Sequence, residues 1–187
     1  TSYDYLTVKY DNAGNVIWKK IFNQSVDIGC GIAVDSIGNV YVTGYSYNVT
    51  TLKWEIHTLK YDALGNEIWS RAVSPEAIRS DTFAKIAVDM EGNVYVAGTV
   101  YPDIVHLFGE DYLLVKYDAE GNEVWKRLYH TYQVSYFLQG LALDRYGFIY
   151  LSGSSPSNGG LDMVTVKYDP AGNVVWEKNY GGAAPGD

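Results

Sequence analysis

Three histidines, His57, His106 and His130, are the side chains of this 187-residue sequence best suited to bind a metal ion or shuttle a proton near neutral pH. Their spacing argues against both roles. Metal sites draw on close arrangements such as His-Glu-x-x-His or paired cysteines, whereas these histidines stand 49 and 24 positions apart and the chain has one cysteine, Cys30. Cys30 can form no internal disulfide, and its apolar neighbours suit an inert buried thiol. No Gly-Ser nucleophile motif and no glycine-rich phosphate loop is present.

Carboxylates recur with stricter order. Four near-copies of one phrase are KYDNAGNVIW from Lys9, KYDALGNEIW from Lys60, KYDAEGNEVW from Lys116 and KYDPAGNVVW from Lys167. Each holds an Asp-x-x-Gly-Asn core, with glycines Gly14, Gly65, Gly121 and Gly172. A calcium loop needs oxygen ligands at alternating positions and a late Glu, a density that DNAGN and DSIGN lack. The spacing suits a hairpin turn instead: Gly takes the positive-φ position after a type I turn, and the leading Asp accepts hydrogen bonds from free backbone N–H groups. Pro170 presets the first position of one such turn.

Lys9, Lys60, Lys116 and Lys167 stand inside strands, where a lone ammonium is costly to bury. We expect each to pair with a carboxylate, Asp35, Asp89 or Asp144, of its own or a neighbouring repeat. A lysine present in every repeat serves joints between repeats, whereas a reaction needs one site. Trp18, Trp69, Trp125 and Trp176 share one place in every copy and are read as packing residues, not as an aromatic ligand cage.

The elements that carry these residues follow from the period. A second phrase interleaves with the first, as GIAVDSIGNVYVTG from Gly31, KIAVDMEGNVYVAG from Lys85 and GLALDRYGFIYLSG from Gly140. Its glycines Gly38, Gly92 and Gly147 are 54 and 55 residues apart, and Tyr10, Tyr61, Tyr117 and Tyr168 are 51, 56 and 51 apart. Periods of that length signal solenoids or propellers. Short runs rich in Val, Ile, Thr and Tyr between turn residues are strands, and four antiparallel strands with two apolar faces make a propeller blade. The alanine-centred runs GIAVD, KIAVD and GLALD suit the crowded axis, and the tryptophan strands suit the rim.

The expectation is an all-β chain, a single β-propeller segment over residues 1–187. It comprises the outer hairpin of a preceding blade at 3–22 and three complete four-stranded antiparallel blades near 28–73, 83–128 and 137–180. The first blade lacks its two inner strands, so the segment is expected to belong to a larger propeller or to be completed by another chain.

YDYLTVKYDNAGNVIWKKIF followed by GIAVDSIGNVYVTG resembles the SBBP-type β-propeller repeat, and the GIAVD…GNVYV half is similar to NHL-type blades. The resemblance implies a propeller in a secreted or cell-surface protein. It brings no fixed activity, because one fold serves many functions. Certain NHL-like propellers are lyases, which keeps an enzyme among the alternatives. The third copy of the inner phrase departs from the pattern, with Phe148 in place of Asn, and predicts a less fully capped turn.

If every Asp-x-x-Gly turn lies on one face, the long and dissimilar connections lie on the other, where binding usually resides. Tyr45, Tyr47, Trp54, Tyr101, His106, Phe108 and Tyr132 are the candidate contacts there for a protein or carbohydrate. Asn23 (NQS) and Asn48 (NVT) are candidate glycosylation sites, as expected outside the cell. A net charge of −8 leaves little attraction for nucleic acid, and no run approaches the roughly 18 apolar residues of a membrane span. The start of the chain, with neither Met nor a signal region, reads as an excised or mature segment.

Together these features predict a non-enzymatic, extracellular or cell-surface module, structural or ligand-binding through its long-loop face, with no metal and no cofactor. Two alternatives stand. One is an extracellular propeller enzyme, a lyase or glycan-acting hydrolase using His57, His106 or His130. The other is a subunit that pairs open strand edges with copies of itself into an oligomer or filament.

Overall fold

The computed structural model describes residues 3–74, 84–100, 111–129, 137–157 and 160–181. Its strands are β1 (Tyr5–Tyr10), β2 (Val16–Phe22), β3 (Asp27–Val34), β4 (Val40–Asn48), β5 (Lys53–Tyr61), β6 (Glu67–Val73) and β7 (Ala84–Val88). They continue as β8 (Val94–Val100), β9 (Asp111–Tyr117), β10 (Glu123–Tyr129), β11 (Phe137–Leu143), β12 (Ile149–Ser157), β13 (Gly160–Tyr168) and β14 (Val174–Tyr180). Strands β1 and β2 form a hairpin, and β3–β6, β7–β10 and β11–β14 form three four-stranded antiparallel sheets in sequential order. The innermost strands β3, β7 and β11 adjoin in series. The fold is a β-propeller segment of three full blades preceded by an outer hairpin, with the alanine strands inside.

Every blade is folded by the same turn. The seven turn glycines have φ between 80° and 89°, a region closed to side chains without strain. In one of them, Gly65 N donates to Asp62 O at 3.0 Å and Asp62 N donates to Asn66 O at 2.8 Å. Asp62 Oδ1 accepts the N–H groups of Leu64 and Asn66 at 2.8 Å each, and Oδ2 accepts Asn66 Nδ2 at 2.8 Å. These bonds, the Asn66 side chain foremost, hold the Asp62 carboxyl below the usual carboxylate range.

The inner turns add a hydroxyl. Tyr41 Oη donates to Asp35 Oδ2 at 3.0 Å and Tyr95 Oη to Asp89 Oδ2 at 3.2 Å. The turn at Asp144 keeps its backbone bonds from Tyr146 N (2.9 Å) and Phe148 N (3.0 Å) and its tyrosine bond from Tyr150 (3.1 Å). It lacks the side-chain amide bond, as the Phe148 substitution predicts, and the Phe148 ring instead lies 4.1 Å from Lys167 Nζ.

The core lies between blades. Trp18, Val40, Val42, Leu59 and Tyr61 fill one joint, and Tyr41, Ile56, Trp69, Val94, Val115 and Tyr117 belong to the core cluster of the next. Each joint is organised by a tryptophan lying on the outer-turn glycine of the following blade. A Cβ on Gly65 would lie 2.9 Å from Trp18 Cδ2, one on Gly121 2.8 Å from Trp69 Cδ2, and one on Gly172 3.2 Å from Trp125 Cδ2. At Gly65 and Gly121 a Cβ would force the ring to shift.

The expected carboxylate partners of the lysines are replaced at two joints. Lys9 Nζ donates to Ala63 O at 2.9 Å and Lys60 Nζ donates to Ala119 O at 2.9 Å. The same two carbonyls accept the indole N–H of Trp18 (3.2 Å) and of Trp69 (3.1 Å). The reason is that Asp35 and Asp89 already spend their oxygens on their own turns, while a carbonyl in the next blade's turn has lone pairs to spare. Lys60 and Lys116 also sit over the rings of Tyr41 and Tyr95, each at 5.1 Å. At Asp144, desolvation pushes the carboxyl up, but bonds from Tyr146, Phe148 and Tyr150, with the charge of Lys167, hold it below its ordinary value.

Gly14 and Gly121 separate backbone strain from packing, because nothing lies within 4 Å of a Cβ at Gly14. Gly14→Ala should cost about 1 kcal/mol, the price of a left-handed alanine. Gly121→Ala should cost about 1–3 kcal/mol more, through displacement of Trp69. Urea denaturation of dilute protein measures both, and equal losses would show that the tryptophan stack contributes nothing to the joint.

Candidate functional site

Because each blade is antiparallel and sequential, all turns of the Asp-x-x-Gly type lie at one end of the sheets and the β4–β5 connection lies at the other. At the turn end, the inner turns surround an open cavity of about 560 Å³ lined by Asp35, Asp89, Asp144, Lys116, Arg145 and Tyr146, among others. Three converging aspartates suggest cation binding. Their lone pairs, however, point into their own turns: Asp35 alone accepts Ile37 N (3.1 Å), Asn39 N (2.9 Å), Asn39 Nδ2 (2.7 Å) and Tyr41 Oη. Among the described residues, no group of three or more His, Cys, Asp or Glu side chains is placed to hold a metal ion.

At the opposite end, the structure separates the residues grouped from the sequence. Tyr45 is fully buried between blades, its hydroxyl 2.9 Å from where a Cβ on Gly98 would stand. It is therefore corrected from a ligand contact to a joint residue, because β4 extends further than the variable connection assumed for it. Tyr47 and Trp54 face each other across the β4–β5 ladder as an edge-to-face pair at 5.4 Å, both half-buried. Tyr101, His106, Phe108, Tyr132 and His130 lie outside the described residues.

The tip of this hairpin holds two residues that sequence reasoning passed over. Val49 and Leu52 are exposed beside the aromatic pair, and Leu52 has φ 56°, the one described non-glycine residue in the left-handed region. Strained backbone of this kind clusters at ligand clamps and similar sites. The signal in the sequence was faint: NVTTLKW contains no glycine where the turn needs positive φ. Asn48 sets the turn by accepting Thr50 N (2.9 Å) and Thr51 N (3.1 Å), and its Nδ2 donates to Glu55 Oε1 at 3.1 Å. Asn48 is half-buried, whereas Asn23 is exposed.

His57 is the histidine whose surroundings can be read. Its Nε2 and Ser70 Oγ are 2.6 Å apart, its ring lies 4.4 Å from that of Phe22, and its buried Nδ1 has no hydrogen-bond partner among the described residues. A serine–histidine nucleophile needs a third group at the second ring nitrogen to orient the base. None stands there. Burial pulls the His57 pKa down to about 4, against the opposing charge of Asp27, so the ring is neutral and a weak base. Asp27 is itself buried and committed, accepting Gln24 N at 2.7 Å, Ser25 N at 3.2 Å and the hydroxyl of Ser46. Cys30 is half-buried, with desolvation raising its thiol pKa, as an inert thiol requires.

Comparison with known proteins bears on the fold. No curated protein matches the sequence. A crystal structure of the eukaryotic initiation factor is similar at a TM-score of 0.52 and 8% identity, over 95% of this chain and 43% of that one. A mutant of Synechocystis apocarotenoid oxygenase is similar at 0.51 and 10% identity, over 96% of this chain and 47% of that one. The chain thus spans under half the length of these structures, and identities so low speak for fold alone. Residues 17–49 match the family described as SBBP, beta-propeller repeat, the repeat type that the sequence resembles.

Proposed function

We propose that this segment is a non-enzymatic module of a secreted or cell-surface protein, binding a protein or carbohydrate through its long-loop face. One observation carries the reading: the repeated polar residues are occupied in turns and joints, while Tyr47, Trp54, Val49 and Leu52, outside the repeated phrases, form an aromatic and apolar tip on the other face. Aromatic rings stack on sugar faces and on apolar side chains, and both gain from a rigid support. The half-buried bases of Tyr47 and Trp54 supply that support. The secreted or surface location rests on the SBBP-type resemblance and on the Asn23 sequon.

An array of immobilised glycans and a displayed peptide library test the reading. Binding to one of the two is expected, weakened at least about tenfold, or 1.4 kcal/mol, by Trp54→Ala and by Leu52→Asp. Failure to bind either probe, or binding that survives both substitutions, overturns the placement.

A structural His57 makes its own prediction, opposed to the enzyme alternative. Its folded pKa of about 4 lies below the ordinary value, so the unfolded chain takes up the proton first as pH falls. The contribution is complete above about pH 6.5 and is lost towards pH 4, amounting to about 3 kcal/mol. His57→Leu, which copies Leu113 at the equivalent place in the next blade, should flatten stability against pH across that window. An unchanged slope in the variant would remove His57 as its source.

A further inference from the structure

The lysine of the repeated phrase marks one joint as unlike the others. Lys9 and Lys60 each donate to a carbonyl in the following blade's outer turn, Ala63 O and Ala119 O, and Trp18 and Trp69 share those oxygens. Between the sheets β7–β10 and β11–β14 the corresponding carbonyl is that of Pro170. Among the described residues, neither Lys116 nor Trp125 makes a hydrogen bond to it. The joint is slacker there. A Cβ on Gly172 would stand 3.2 Å from Trp125 Cδ2, against 2.9 and 2.8 Å for the equivalent contacts of Trp18 and Trp69. Trp125 and Lys116 are half-buried where Trp69 and Lys60 are buried. Lys116 Nζ keeps its place over the Tyr95 ring at 5.1 Å and has no hydrogen-bond partner among the described residues.

Lys116 lines the cavity of about 560 Å³ at the turn end, and the wall of that cavity has donors to spare. Asp35 and Asp89 each accept four hydrogen bonds, and Asp144 three, from their own turns and the adjoining tyrosine. Against these spent acceptors stand the ammonium of Lys116 and the guanidinium of Arg145, which donates to Tyr146 Oη at 2.5 Å and keeps its remaining N–H groups. Glu91 is the carboxylate of the wall that accepts no hydrogen bond among the described residues. Met90, Leu143 and Pro170 add apolar surface.

We propose that this cavity binds a zwitterionic small molecule of the amino-acid type, its carboxylate taken by Lys116 and its ammonium by Glu91. The internal joints show what a lysine in this setting accepts as partner, a carbonyl oxygen, and a carboxylate is a stronger acceptor of like shape. The wall carries Asp35, Asp89, Asp144 and Glu91 against Lys116 and Arg145, so a multiply charged anion such as phosphate is repelled. A bare cation finds the aspartates already occupied. A molecule with one charge of each sign satisfies both unspent groups, and the volume is that of a small-molecule site. The blades that supply Glu91, Lys116 and Arg145 adjoin within the chain, so these groups come together whatever precedes or follows them. The site lies at the opposite end of the sheets from the tip at Val49 and Leu52 and shares no residue with it, so either reading can fail alone.

Isothermal titration of the chain with a panel of the common L-amino acids tests the proposal. Saturable one-to-one binding of at least one member is expected. Its N-acetyl derivative, which lacks the ammonium, and its decarboxylated amine should each bind at least about tenfold more weakly, as should the parent ligand to Lys116→Met and to Glu91→Gln. Inorganic phosphate should not bind. Urea denaturation separates this role from a structural one: Lys116→Met should leave the midpoint unchanged, whereas Lys60→Met, which loses the bond to Ala119 O, should lower it. Failure of the whole panel to bind, equal binding of either single-charge analogue, binding that survives Lys116→Met, or a midpoint that falls as far for Lys116→Met as for Lys60→Met would each overturn the proposal.

Discussion

A blade of this protein cannot exist with its broad faces in water, and the contact that resolves this is a tryptophan laid on a glycine. The ring needs a flat floor without a Cβ, and the hairpin turn needs a residue at positive φ; one glycine meets both demands. The indole N–H and a neighbouring lysine then converge on a single carbonyl of the same turn. Turn, ring and cation thus form one unit across the joint.

That coupling explains why the repeated residues are so uniform. The turn aspartates accept the N–H groups of their own turns, and Lys9 and Lys60 donate to backbone oxygens of the next blade. At the end of the sheets away from the turns, the β4–β5 hairpin carries an aromatic pair and an apolar tip.

The same coupling gives the segment a direction. Each blade offers a tryptophan to the blade that follows and a glycine turn to the blade before, so the two ends of the series differ in kind.

The sequence by itself determined the strands, their order within a blade, the turns and the blade boundaries, because these are local and are stated three or four times over. Asp-x-x-Gly-Asn is readable as a turn since its bonds close within five residues, and even the weaker capping at Phe148 could be foreseen. Only the tertiary structure decided the partners of Lys9 and Lys60, which lie 54 and 59 residues along the chain in a neighbouring blade's turn. It alone buried Tyr45 and exposed Val49 and Leu52, because burial depends on how far β4 runs before it turns. Composition says which residues are apolar or charged; which of them face another blade is set by the stacking of sheets, a contact between segments that no local pattern encodes.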